Sequence, residues 1–104
     1  MEKLKNSVEK LMEIEVVDSN KKFCPIFHTT HEGYAIIKEE VEEAEYEIEF
    51  INIYLNNLWS EVKGNNIAPA VKKAEFLKRK AINLSAESIQ VSAMCQKFID
   101  SFEK

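Results

Sequence analysis

Apolar residues recur in steps of three and four along two long stretches of the chain. In the first, Thr30 to Lys63, they are Tyr34, Ile37, Val41, Ala44, Ile48, Ile51, Leu55, Leu58 and Val62. In the second they are Ala74, Leu77, Ala81, Leu84, Ser88, Val91, Cys95, Phe98 and Phe102, with Ser88 the one polar member. Such steps keep one side of an α-helix in register, so each stretch predicts a long helix with one apolar stripe.

The ends of these helices are marked as well. Thr29-Thr30-His31-Glu32 reads as a capping box, with Thr29 as the cap and Glu32 three residues on. If Thr30 is the cap, the helix starts one residue later. Gly64-Asn65-Asn66 stops the first long helix, and Pro69 suits the first turn of the second. The second continues as one helix through Asn83-Leu84-Ser85 to Phe102.

Residues 2–16 carry Leu4, Val8, Leu11, Met12 and Ile14 or Glu15 at helical spacing, which predicts a short amphipathic helix. Residues 17–30 lack a period and contain Pro25, so a loop is expected there, with Phe23, Ile26 and Phe27 tucked under the helices. The reading is an all-α single domain over residues 1–104, an antiparallel hairpin of two long helices plus a short N-terminal one. Ile36, Phe50, Ile53, Trp59, Ile82, Ile89 and Met94 widen the stripes beyond what a chain of this length covers. A helical bundle completed by a second copy, as a homodimer or higher oligomer, is therefore expected.

Composition agrees. Two Gly and two Pro in 104 residues, with 31% charged, favour helices over a turn-rich β fold. A net charge of −4 speaks against a nucleic-acid polymer as partner. No apolar run approaches the ~20 residues of a membrane span, and the charged first residues are not expected to act as a signal peptide. Cys24 and Cys95 lie far apart in different contexts and are expected to be unbonded thiols in a reducing cytoplasm.

Charge is unevenly placed. Glu39, Glu40, Glu42, Glu43, Glu45, Glu47 and Glu49 crowd the first long helix, whereas Lys72, Lys73, Lys78, Arg79 and Lys80 accompany one acid, Glu75, on the second. Glu40 and Glu43 share a helix face, as do Glu39 and Glu43. With Val41 taken as heptad position a, Glu40 is g and Glu43 is c. With Ser88 as a, Glu87 is g and Gln90 is c. An antiparallel hairpin folded about Gly64-Asn65-Asn66 brings these pairs level, so Glu40, Glu43 and Glu87 converge beside Gln90 and Ser88. Like charges at short range repel. Hard carboxylate oxygens without His or Cys suit Mg²⁺ or Mn²⁺.

The segments HEGYAIIKEEVEE and AESIQVSAMCQKFID, over roughly residues 28–63 and 80–102, resemble the MazG-like all-α nucleoside triphosphate pyrophosphohydrolases, in particular the small phage and Firmicutes members. That superfamily carries E-E-x-x-E on one helix and E-x-x-D on the next. Glu39-Glu40-Val41-Glu42-Glu43 fits the first half. Glu87-Ser88-Ile89-Gln90 fits the second only at Glu87, with Gln90 standing where the superfamily places Asp. The halves also lie further apart than usual. The resemblance implies catalysis at Glu39, Glu40, Glu43 and Glu87, with Mg²⁺ held by Glu40, Glu43, Glu87 and the carbonyl of Gln90. The implied reaction takes a nucleoside triphosphate to its monophosphate and pyrophosphate. Gln90 leaves open a second class, a non-catalytic helical oligomerisation or interaction module on the same scaffold.

Lys78 and Arg79, of the basic run the nearer to Glu87 beside Lys80, are candidate phosphate contacts, against a plain solvated basic face. Cys24, His28 and His31 lack the paired spacing of a zinc site. Tyr54 and Trp59 can stack on a base, but on a long helix they read rather as core or interface.

Overall fold

The computed structural model describes residues 1–103. Its three helices are α1 (Glu2–Lys22), α2 (Thr30–Lys63) and α3 (Ile67–Phe102), with no strand among the described residues. None of them is long and apolar enough to cross a membrane.

The long helices start and stop where the caps place them. Thr29 Oγ1 accepts the Glu32 backbone N–H at 3.0 Å, but the Glu32 carboxylate reaches back to the His28 N–H at 3.1 Å, one residue earlier than in a standard box. At the other end, Asn66 N–H donates to Glu61 O and Asn65 N–H to Val62 O, a Schellman closure. The left-handed residue is Asn65, with φ 55°, and not Gly64. α3 is unbroken across residues 83–85.

α1 corrects the expected helix 2–16 and loop 17–30. It continues through Val17-Asp18-Ser19-Asn20-Lys21-Lys22, of which Asp18, Ser19 and Asn20 by themselves favour turns. Ser19 is buried and Val16 packs on the core, so burial of that face holds the extra turns, and Lys21 and Lys22 face the negative end of the helix dipole. The remaining loop, residues 23–29, buries only Phe27. Phe23 and Ile26 are exposed, contrary to expectation.

The chain divides into two compact units, one of Met1–Val41 with the chain from Glu87 onward, the other Glu42–Ala86. The first holds the whole buried core. Phe27, Ala93 and Met94 are its centre, with Met12, Val16, Ile36, Ile37, Phe98 and Phe102 packed on it. Phe27 is strapped to α3: its N–H donates to Ser101 Oγ at 2.9 Å, and Ser101 Oγ donates to Lys97 O at 2.7 Å. Lys97 is only 5% exposed and holds its ammonium 4.9 Å above the Phe27 ring. Gly33 lies where a Cβ would come within 2.5 Å of Phe98, so the first turn of α2 needs a residue without a side chain.

The second unit is an antiparallel two-helix hairpin in which no residue is fully buried. Tyr46, Phe50, Tyr54 and Phe76 form an aromatic ladder with successive centroid distances of 5.0, 6.5 and 5.3 Å. Lys80 Nζ lies 3.5 Å from Glu47 Oε2 and 4.4 Å from the Phe50 ring.

The side of each helix that is drawn out of solvent differs from the expected stripe. On α2, Ile37, Ala44, Ile51 and Leu58 are half-buried as expected, but Tyr34, Ile48, Leu55 and Val62 are exposed. Glu40, Glu47, Tyr54 and Glu61, one residue earlier, are half-buried instead. On α3, Lys73, Lys80 and Glu87 are half-buried while Ala74, Ala81 and Ser88 are exposed. Ser88, the one polar member of the expected stripe, therefore lies outside the seam. Positions d and g form the seam rather than a and d, a rotation of roughly 60° about each helix axis. Opposite charge and aromatic contact lie on the g side, at Lys80 with Glu47 and Tyr54 with Phe76.

Candidate functional site

The rotated seam draws g-position carboxylates toward the neighbouring helix. Glu40 and Glu87 are both half-buried g residues, and Glu43 follows Glu40 by one turn of the same continuous helix. One carboxylate oxygen from each of Glu40, Glu43 and Glu87 can be chosen so that all lie within 4.8 Å of one another. Glu43 is exposed, so the group opens to solvent on that side. Hard carboxylate oxygens are the ligand type that divalent cations take.

The other expected members are placed differently. Glu39 is exposed and is not one of the three. Gln90 is half-buried, and its Nε2 donates to Glu15 Oε1 at 2.7 Å. Its amide nitrogen is thus committed to α1. Lys78 and Arg79 are both exposed, and the Arg79 guanidinium stacks over Phe76 at 5.3 Å. Lys78 precedes Glu87 by nine residues, which on a straight helix is about 14 Å of rise and half a turn of rotation. Lys73 and Lys80, of the same basic run, sit against Phe76 and Phe50.

Glu15 is the residue that sequence reasoning missed. Its signal was present: it stands at a stripe position of α1, where a carboxylate needs a donor. Lys97 was missed as well, because a lysine near the end of a helix reads as solvated.

Tyr54 belongs to the aromatic ladder, and Trp59 is exposed with Lys63 Nζ 5.6 Å from its ring. Both cysteines are free. Cys24 Sγ lies 3.7 Å from His28 Nε2 in the exposed loop, and His31 is exposed in the first turn of α2. Compared with protein families, curated proteins and solved structures, the chain matches none of them.

Proposed function

We propose that this protein is a Mg²⁺-dependent nucleoside triphosphate pyrophosphohydrolase of the MazG-like kind, working as an oligomer in the cytoplasm. The observation that carries the reading is the meeting of Glu40, Glu43 and Glu87 oxygens within 4.8 Å, on the residues where the E-E-x-x-E and E-x-x-D resemblance puts its metal ligands. Bound there, Mg²⁺ would offset the charge of a triphosphate and lower the pKa of a water.

The chain's own residues divide the work. Glu40 and Glu87, half-buried, hold fixed positions on the seam, and Glu43, exposed, faces the side from which substrate arrives. Gln90 positions α1 through Glu15 and supplies no charge, so the donor set carries one carboxylate fewer than the full signature. Lys78 and Arg79, exposed and about 12–14 Å along α3 from Glu87, are kept as candidate contacts for the phosphates of the substrate and not as metal ligands. The two free thiols suit a reducing compartment.

A second reading, a non-catalytic helical module, is favoured by one observation: the residue at the Asp position of the signature is an amide whose nitrogen is bonded to Glu15 of α1, which leaves only its carbonyl oxygen for a metal. The two separate on a melting assay and a pyrophosphate assay. Mg²⁺ should raise the melting temperature of the wild type, because a ligand that binds only the folded state stabilises it. Glu87→Gln should abolish that gain and any pyrophosphate release, and Glu49→Gln, exposed on the same acidic run, should leave both intact. Equal responses to Mg²⁺ at Glu87 and Glu49 would exclude the shared site and leave the helical module.

A further inference from the structure

Gln90 stands where the signature has Asp, and it is tied to another helix. Its Nε2 donates to Glu15 Oε1 at 2.7 Å, and both side chains are half-buried. Glu15, Glu40, Glu87 and Gln90 all belong to the first compact unit.

The chemistry of the pair fixes how the Gln90 amide is turned. A carboxylate only accepts hydrogen bonds, so the nitrogen, the donor end of the amide, faces Glu15. The oxygen lies on the other side of the amide carbon and is turned away from α1. Gln90 follows Glu87 by three residues, so the two share a face of α3. Were there no acceptor on α1, the amide could offer either end to a ligand. With Glu15 in place, only the oxygen is left to offer.

The bond does more than aim the amide. At 2.7 Å it lies at the short end for an N–H···O bond, as is usual when one partner is charged. A charged acceptor at the nitrogen polarises the amide and places more negative charge on its oxygen. Carboxylates act in this way behind metal-binding histidines, where they orient the ring and raise its basicity. Glu15 is not itself among the carboxylates that meet at Glu40, Glu43 and Glu87, so its influence on that group passes through Gln90.

We propose that Glu15 is a positioning residue for a divalent cation held by Glu40, Glu43 and Glu87. It turns Gln90 so that the carbonyl oxygen serves as a fourth, neutral donor. It also returns to that donor part of the negative charge lost with the Asp of the signature. This rests on the proposed metal site but draws α1 into it, whereas the signature lies wholly on α2 and α3.

The test is a titration with Mn²⁺, the free ion being read by electron paramagnetic resonance, with no nucleotide and no turnover. Wild type, Glu15→Leu, Gln90→Leu and the double variant form a cycle. Glu13→Gln, exposed on the same helix, controls for loss of charge alone. Glu15→Leu should weaken Mn²⁺ binding by about 10–100-fold. Gln90→Leu should do the same, the double variant should be no weaker than Gln90→Leu, and Glu13→Gln should bind as wild type does. Glu15→Gln, which keeps an acceptor but not the charge, should fall between wild type and Glu15→Leu. It decides the matter if Glu15→Leu loses helicity by circular dichroism, and binding as tight as wild type then overturns the proposal. A helical Glu15→Leu that binds Mn²⁺ as wild type does overturns the role of Glu15 and leaves the three-glutamate site standing. So does a double variant weaker than Gln90→Leu, or a loss in Glu13→Gln equal to that in Glu15→Leu, since either makes Glu15 a distant charge only. A wild type that binds no Mn²⁺, or binds it equally well as Glu87→Gln, overturns the site and the role of Glu15 together.

Discussion

Gln90 Nε2 donates to Glu15 Oε1 at 2.7 Å, joining the third helix to the first three residues beyond Glu87. The bond explains how a glutamine fits beside an acidic group: it offers a donor to a half-buried carboxylate. Gln90→Asp removes that donor and sets a second negative charge against Glu15. In the absence of divalent metal the variant should lose about 1–3 kcal/mol. If the carboxylates bind Mg²⁺, the metal should restore more stability to Gln90→Asp than it adds to the wild type, and pyrophosphate release should rise. Melting with EDTA and with Mg²⁺ measures both arms; a variant as stable as wild type in EDTA would contradict the role given to the bond.

Gly33→Ala should destabilise the first unit despite the better helix propensity of alanine. A methyl there comes 2.5 and 2.9 Å from Phe98 and 3.0 Å from Phe27. Phe98 is itself held against Phe102, with ring centroids 4.9 Å apart, so it has little room to yield. Overpacking costs about 1–3 kcal/mol, against a propensity gain of at most about 1 kcal/mol. Urea denaturation should show a net loss of about 1–2 kcal/mol.

Lys80 and Glu47 form a pair in the hairpin seam, their side chains 26% and 15% exposed. Lys80→Ala should cost about 1–3 kcal/mol, because it strands the Glu47 carboxylate away from water. Replacing both by leucine should cost less than the single change, since a partly buried ion pair exchanges for apolar packing with little loss. A double-mutant cycle by denaturant unfolding reads the difference; a double variant weaker than Lys80→Ala would show that the pair contributes more than its desolvation.

Asn65→Val should weaken the turn between α2 and α3. Asn65 holds φ 55°, a left-handed conformation that a β-branched side chain adopts only at a cost of about 1–2 kcal/mol. Asn65→Gly should be neutral or slightly stabilising. Thermal melts of the two variants check the order.

The three helices, the ends of α2 and the continuity of α3 were legible in the sequence, because they follow from spacing and from caps made within a few residues. Thr29 and Glu32 are three apart, and the Asn66 to Glu61 closure spans five. The level match of Glu40, Glu43 and Glu87 was legible too, since an antiparallel hairpin with a short turn fixes which residues stand opposite each other.

Only the tertiary structure decided which side of each helix faces its neighbour. A belt of apolar residues wider than one seam fits two rotations equally well by spacing, and the choice falls to contacts between residues far apart in sequence: Glu47 with Lys80, Tyr54 with Phe76. The same holds for the last turns of α1. Asp18, Ser19 and Asn20 favour turns locally, and the stretch stays helical because Val16 and Ser19 are covered by the core of the first unit. The sequence by itself determined where helices form and how far along they pair, because those are local and periodic properties; their rotation, and with it the exposed stripe from Ile48 to Val62, rests on energies that exist only once the helices meet.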